Sequence, residues 1–98
     1  MSVECSRLNN GKIVCKFLGR MDTTRCVEAE KIVMDFIDAA ETIVFDLDGV
    51  EYIASSFLRL CGKASHKVVD GNFSIVNVTP SVKKVFKIAG LAERLNLR

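Results

Sequence analysis

Residues 42–56 read TIVFDLDGVEYIASS, and this stretch decides the fold of the chain. Its first half, Thr42 to Leu47, is rich in apolar and β-branched residues and has no alternating polar face until its end. Such a run is typical of a central parallel strand that helices cover. We predict a turn at Asp48-Gly49, a second short run from Val50 to Ile53, and then a helix that begins at Ser55 or Ser56.

Two elements are predicted before this strand. Asn9-Asn10-Gly11 separates two short extended runs, and asparagine-glycine in that position predicts a hairpin that pairs residues 3–8 with residues 12–18. Asp22-Thr23-Thr24 then offers N-caps for an amphipathic helix. Its core-facing side chains, at three- and four-residue spacing, are Cys26, Ala29, Ile32, Val33, Phe36, Ile37 and Ala40.

The rest of the chain continues the alternation of helix and strand. The helix after Ile53 carries an apolar stripe and is predicted to end at Asp70-Gly71, and residues 72–78 form the next strand. Thr79-Pro80-Ser81 starts a third helix that Gly90 ends, and residues 93–97 form at most a weak tail strand. The stripes are Phe57, Cys61, Ala64 and Val68 in the second helix and Val82, Val85, Phe86 and Ala89 in the third.

The order β-β-α-β-α-β-α(-β) predicts an α/β fold, a mixed sheet of four to five strands with helices packed against it. A chain of 98 residues, 49% of them hydrophobic, fits one domain over residues 1–98. The net charge of +2 without a basic run argues against nucleic-acid binding. No signal peptide or apolar run of membrane-spanning length is present, so we expect a cytoplasmic protein without membrane insertion.

The residues that most often carry chemistry form no recognisable motif. Four cysteines, Cys5, Cys15, Cys26 and Cys61, include no C-x-x-C pair, and the single histidine, His66, completes no zinc-binding motif with them, so no zinc site is expected. Reduced cysteines are the favoured interpretation, with a disulfide framework as the minor alternative.

The acidic residues of the central strand are the candidates for a catalytic site, since His66 reads as a solvated surface residue of a helix. Asp46 and Asp48 have the spacing of magnesium ligands, but strand-end and turn aspartates explain them more simply. Neither a P-loop nor a G-x-G-x-x-G motif occurs, and no nucleophile is paired with a base, so we expect no enzyme and no cofactor.

The segment Ile53-Ala54-Ser55-Ser56-Phe57 is the strongest candidate for a functional site. A strand ends there, and two hydroxyls lie at a helix N-terminus, on the edge where open α/β sheets expose their functional surface. A serine in this place can simply cap the helix. It can also accept a phosphate, since the helix N-terminus tolerates the added negative charge. The fold would then be kept while the charge of the exposed partner surface changes.

Three stretches of the chain carry a family resemblance: FLGRMD at 17–22, IVFDLDGVEYIASS at 43–56 and FSIVNVTPSVKKVFKIAGL at 73–91. In order and content they resemble the anti-sigma factor antagonists, the single-domain members of the STAS family. The resemblance implies a partner-switching protein that docks on an ATP-binding anti-sigma kinase and is silenced when that serine kinase phosphorylates it. A phosphatase of the PP2C type would reverse the modification.

The resemblance also assigns the site. The phosphoacceptor falls on Ser55, with Ser56 as the second candidate, and Asp22 matches a family aspartate near that site. The predicted partner surface therefore comprises Asp22, Ser55, Ser56, Phe57 and Leu58, with no catalytic or metal-binding residue.

Two positions depart from the family pattern. Ala54 stands where the family usually has aspartate, and Phe57 stands where it has glycine. Phe57 is either an exposed anchor for a partner or an ordinary core residue on the helical stripe. Ala54 and Phe57 together motivate an alternative function, a constitutive STAS subunit that binds the ATPase of a lipid-transport ABC complex, since a site that is not phosphorylated can lose its acidic neighbour.

Overall fold

A computed structural model describes residues 3–98, which form one four-stranded sheet and three helices. The strands are β1 (Val3–Arg7), β2 (Lys12–Met21), β3 (Thr42–Ile53) and β4 (Phe73–Val76), and they lie in the order β1-β2-β3-β4. The helices are α1 (Thr23–Phe36), α2 (Ser55–Ser65) and α3 (Pro80–Ile88). β1 runs antiparallel to β2, whereas β2, β3 and β4 are mutually parallel, so the predicted mixed α/β sheet is confirmed.

The predicted hairpin is confirmed, and its connection is one turn of 3-10 helix over Asn9–Gly11. Asn10 and Gly11 adopt φ values of 66° and 72°. Asparagine and glycine are the residues that tolerate this left-handed region most easily, which explains why they occupy the turn.

Helix α1 begins where the sequence predicts it. The side chain of Asp22 caps it by accepting a hydrogen bond from the backbone N–H of Arg25 at 2.9 Å. The predicted stripe faces inward: Cys26, Ala29, Val33 and Ile37 are buried, and Ile32, Phe36 and Ala40 are partly buried against the same core.

The predicted turn at Asp48-Gly49 is wrong, because strand β3 continues unbroken from Thr42 to Ile53. Its pairing with β2 shifts register twice, between Lys16 and Leu18 and between Gly19 and Arg20. At the first shift the backbone N–H of Asp48 donates to Asp46 Oδ1 at 3.0 Å. The turn-forming residues therefore produce a bulge, in which β3 contributes an extra residue, and the chain keeps its direction.

The second half of the chain differs from expectation in detail. Helix α2 ends at Ser65, five residues before the predicted Asp70-Gly71. The third-helix stripe is wrong at Val85 and Ala89, which are exposed, and only Val82 and Phe86 are buried. The tail strand is reduced to an isolated bridge between Ile75 and Leu97.

The core lies between the sheet and the helices. Three phenylalanines from three elements meet at its centre: Phe17 and Phe45 pack edge to face with centroids 4.8 Å apart, and Phe17 and Phe57 do so at 5.0 Å. None of the helices over residues 3–98 has the length and apolar character needed to cross a membrane.

Candidate partner-binding site

The candidate site forms where the parallel strands β2 and β3 end at the same edge of the sheet. Met21 and Ile53, the last residues of these strands, are paired in register. The backbone N–H of Ala54 then donates to the Met21 carbonyl at 2.9 Å. This bond fixes the start of α2 beside the start of α1, so Asp22 and Ser55 are neighbours at this edge although they lie far apart in sequence.

Ser55 is the first residue of α2, and its side chain is exposed. The N-cap position belongs to Ala54, and no side chain caps the helix. The expectation that a serine caps α2 is therefore wrong, because Ser55 lies inside the first turn. Its hydroxyl faces solvent at the positive end of the helix dipole.

Ser56 points the other way. Its Oγ is buried and has no hydrogen-bond partner among residues 3–98. On the adjacent helix, Cys26 donates a hydrogen bond to the Met21 carbonyl at 3.5 Å, and burial raises the pKa of its thiol. Of the two hydroxyls that the sequence offered, only that of Ser55 is exposed at the surface.

Phe57 faces the core, which decides between the two interpretations of this residue. Its side chain has 0% exposure and contacts the rings of Phe17 and Phe45. The interpretation of Phe57 as an exposed anchor is wrong, because α2 packs its stripe of Phe57, Leu60, Cys61 and Ala64 against the sheet. Leu58, one residue on, is half-buried and keeps part of its side chain at the surface.

Two arginines next to the site were missed by sequence reasoning. The Arg20 guanidinium lies over the ring of Tyr52, 4.3 Å from its centroid, and Tyr52 is 41% exposed. Arg25 Nη1 donates to the Leu18 carbonyl at 3.4 Å. The Arg20 and Tyr52 contact depends on the second register shift of β3, for which the sequence carries no signal beyond aromatic and basic residues near two strand ends.

Gly19 provides the room for this arrangement. Its φ is +78°, and a Cβ at this position would lie 2.7 Å from Arg25 Nη1. Glycine therefore allows both the backbone conformation and the close approach of the guanidinium.

The end of β4 completes the edge. Asn77, at φ 57°, donates from Nδ2 to Asp46 Oδ1 at 3.1 Å, and Thr79 Oγ1 donates to the Val50 carbonyl at 3.5 Å. Asp46 thus accepts hydrogen bonds from both the β3 bulge and the loop after β4. This carboxylate links the β3 bulge to the loop after β4, so its role is structural, but Asp46 and Asp48 lie inside the continuous strand β3 and the prediction of a strand end and a turn there is wrong.

Within residues 3–98, no three His, Cys, Asp or Glu side chains come together as a metal site would require. The mixed sheet order, the three helices and the polar carboxyl edge define an α/β domain with an exposed hydroxyl between two helix starts.

A sequence model of the STAS domain matches residues 7–98. The chain belongs to the STAS domain family. No curated protein sequence matches it.

Solved structures share this fold at low sequence identity. An anti-sigma factor antagonist from Mycobacterium paratuberculosis is 21% identical with a TM-score of 0.84, over 97% of this chain and 82% of that one. The anti-sigma factor antagonist SpoIIAA in its unphosphorylated form is 17% identical with a TM-score of 0.79, over 98% and 87%. The Bacillus cell fate determinant SpoIIAA in the phosphorylated form is 16% identical with a TM-score of 0.70, over 98% and 90%.

Proposed function

We propose that this STAS domain is an anti-sigma factor antagonist that switches partners in the cytoplasm without catalysing a reaction itself. It would bind an anti-sigma kinase of the ATP-binding type through the edge formed by Asp22, Ser55 and Leu58, and phosphorylation of Ser55 by that kinase would end the interaction. The observation that carries the proposal is the exposed Ser55 hydroxyl at the start of α2, fixed beside Asp22 by the bond from Ala54 to Met21.

The geometry supports Ser55 as phosphoacceptor in preference to Ser56. A kinase must bring ATP to the hydroxyl that it modifies, and the Ser56 Oγ is buried whereas the Ser55 side chain is exposed. Because no side chain caps α2, backbone N–H groups of its first turn are left for a phosphate, and the helix dipole favours the anion there.

The replacement of the usual acidic residue by Ala54 is compatible with this function. A phosphate on Ser55 would add about 1.5 to 2 negative charges beside Asp22. That charge changes the sign and hydration of the partner surface while the fold tolerates it, which is what a partner switch requires.

Intact-mass measurement after incubation with the cognate anti-sigma kinase and ATP tests the proposal. We expect one added phosphate on the wild-type protein, none on Ser55→Ala, and one on Ser56→Ala. Ser56→Ala is the matched control, because it removes a neighbouring hydroxyl of the same type from a buried position. A phosphate that persists on Ser55→Ala, or none on the wild-type protein, would exclude Ser55 as the switch.

Affinity capture separates this function from the alternative of a constitutive subunit. We expect the wild-type protein to recover an anti-sigma kinase, and Ser55→Glu, which introduces a negative charge, to recover at least tenfold less of it. Recovery of the ATPase of a lipid-transport ABC complex, equal for wild type and Ser55→Glu, would establish the constitutive role instead.

A further inference from the structure

Cys5 of β1 and Cys15 of β2 lie directly opposite each other on the side of the sheet that faces the core. Their sulfur atoms are 3.1 Å apart and share a hydrogen bond. We propose that Cys5 and Cys15 are a peroxide-sensitive thiol pair that closes into a disulfide bond between the two strands. Cys15 lies six residues before Met21, the last residue of β2, which is about 20 Å along the strand from the candidate site, so the proposal does not rest on partner switching at Ser55.

The register of the strands places the two cysteines correctly for such a bond. Leu8 donates its backbone N–H to the Lys12 carbonyl at 2.7 Å, which makes Leu8 and Lys12 a hydrogen-bonded pair. Hydrogen-bonded and non-bonded pairs alternate along antiparallel strands, so Cys5 and Cys15 form a non-bonded pair. The Cα atoms of such a pair are about 4.5 Å apart, within the range of about 4.4 to 6.8 Å that disulfides span.

The two thiols differ in exposure and in pKa, and both differences favour attack on peroxide by Cys5. Cys15 is fully buried, whereas Cys5 is half-buried on an edge strand and is open to a small oxidant. The hydrogen bond between Cys5 and Cys15 lowers the pKa of Cys5 in spite of partial burial, and the same bond together with burial raises the pKa of Cys15. Cys5 is the thiol that solvent and peroxide can reach, and its pKa is lowered, so Cys5 supplies the thiolate that acts as the nucleophile towards peroxide.

Each step balances with hydrogen peroxide as the oxidant. The Cys5 thiolate attacks one peroxide oxygen, the O–O bond breaks, and the departing hydroxide takes a proton to become water, which leaves a sulfenic acid on Cys5. The Cys15 sulfur then attacks the Cys5 sulfur, the S–O bond breaks, and the Cys15 proton leaves with the hydroxyl as a second water. Two thiols have lost two electrons and two protons, and a dithiol reductant reverses the change.

A shared metal ion fits the pair less well. Two thiolates on one tetrahedral zinc ion, with bonds of about 2.3 Å, stand about 3.8 Å apart, farther than these sulfurs. No further His, Asp, Glu or Cys joins them in a group of three within the described part of the chain. The sulfur–sulfur distance of 3.1 Å is instead short enough for the two atoms to form a disulfide bond after a small movement.

Cys26 and Cys61 provide an internal comparison. Both are buried and burial raises the pKa of both, and no hydrogen bond joins either one to another thiol within the described residues, although the two lie near each other. They are expected to stay reduced while Cys5 and Cys15 react.

Thiol counting with peptide mapping tests the proposal. The native reduced protein is treated with hydrogen peroxide, quenched, unfolded in acid and alkylated. We expect the number of alkylated cysteines to fall from four to two, a mass loss of two hydrogen atoms before alkylation, and one cross-linked peptide pair containing Cys5 and Cys15. Dithiothreitol should restore four free thiols, and the oxidised monomer should melt at a higher temperature than the reduced one.

Three variants sharpen the result. Cys5→Ser and Cys15→Ser should each abolish the mass loss, whereas Cys61→Ala, which also removes one cysteine, should keep it. Retention of four free thiols by peroxide-treated wild type, stable oxygen adducts on Cys5 without a cross-link, a disulfide that involves Cys26 or Cys61, or a covalent dimer through Cys5 would each overturn the proposal. The wild-type peptide map stands by itself if a variant fails to fold.

Discussion

Replacement of Phe57 by alanine is expected to destabilise the fold. It should remove no contact with a partner, because the side chain does not reach the surface. The ring has 0% exposure and packs against Phe17 at 5.0 Å and Phe45 at 6.4 Å between ring centroids. Truncation would remove these contacts and open a cavity among the three elements that meet there. Phe57→Ala therefore tests whether this departure from the family pattern serves the core or a partner.

The size of the effect follows from burial. Truncation of a buried phenylalanine to alanine costs about 3 to 5 kcal/mol, and full burial with an edge-to-face contact to Phe17 places Phe57 near the middle of that range, at about 4 kcal/mol. The free energy of unfolding of a domain this size is about 5 to 15 kcal/mol. With a urea dependence of about 1.5 kcal/mol per molar, the unfolding midpoint should fall by about 2.7 M. Phe57→Leu, which fills most of the cavity, should cost about 1.5 kcal/mol.

Urea unfolding followed by circular dichroism measures the loss. Leu58→Ala is the matched control on the same helix, and its half-buried side chain should account for about 1 kcal/mol. Phe57→Leu stays folded at low urea and should retain the affinity of the wild-type protein for its partner. A midpoint for Phe57→Ala no lower than that of Leu58→Ala, or a tenfold loss of affinity in Phe57→Leu, would refute the core assignment.

Three further changes should follow from local contacts, each measured by urea unfolding. Asp22→Ala should lower the free energy of unfolding by about 1 kcal/mol through loss of the α1 cap, and Asp22→Asn should preserve most of it; equal losses would contradict the capping role. Ser56→Ala should leave stability unchanged or raise it by up to about 1 kcal/mol, because the buried hydroxyl has no hydrogen bond of good geometry in residues 3–98, and a clear loss would reveal a bond to the nearby Cys26 thiol. Gly90→Ala should cost about 1 kcal/mol although space is free around it, because its φ is +74°; an unchanged midpoint would show that the helix end adapts.

The candidate site was predictable in part from local patterns. A strand that runs into a helix start at Ser55 can be recognised along the chain, because both elements are defined by neighbouring residues. The contact between Arg20 and Tyr52 was not predictable, since it joins two strands whose register depends on bulges. Asp46 was predicted to lie at a strand end but lies inside β3, and its bond to Asn77 arises only once β3 and β4 pair.

By itself the sequence determined the element types and their order, because apolar periodicity, N-caps such as Asp22 and turn residues such as Gly90 act within a few residues of themselves. Tertiary structure alone decided which way Phe57 and the two serines point. The rotation of α2 about its axis is set by the fit of its apolar stripe against Phe17 of β2 and Phe45 of β3, which are distant in sequence. The same long-range pairing decided that Cys5 meets Cys15, because a thiol's partner depends on strand register and its own neighbours cannot specify it.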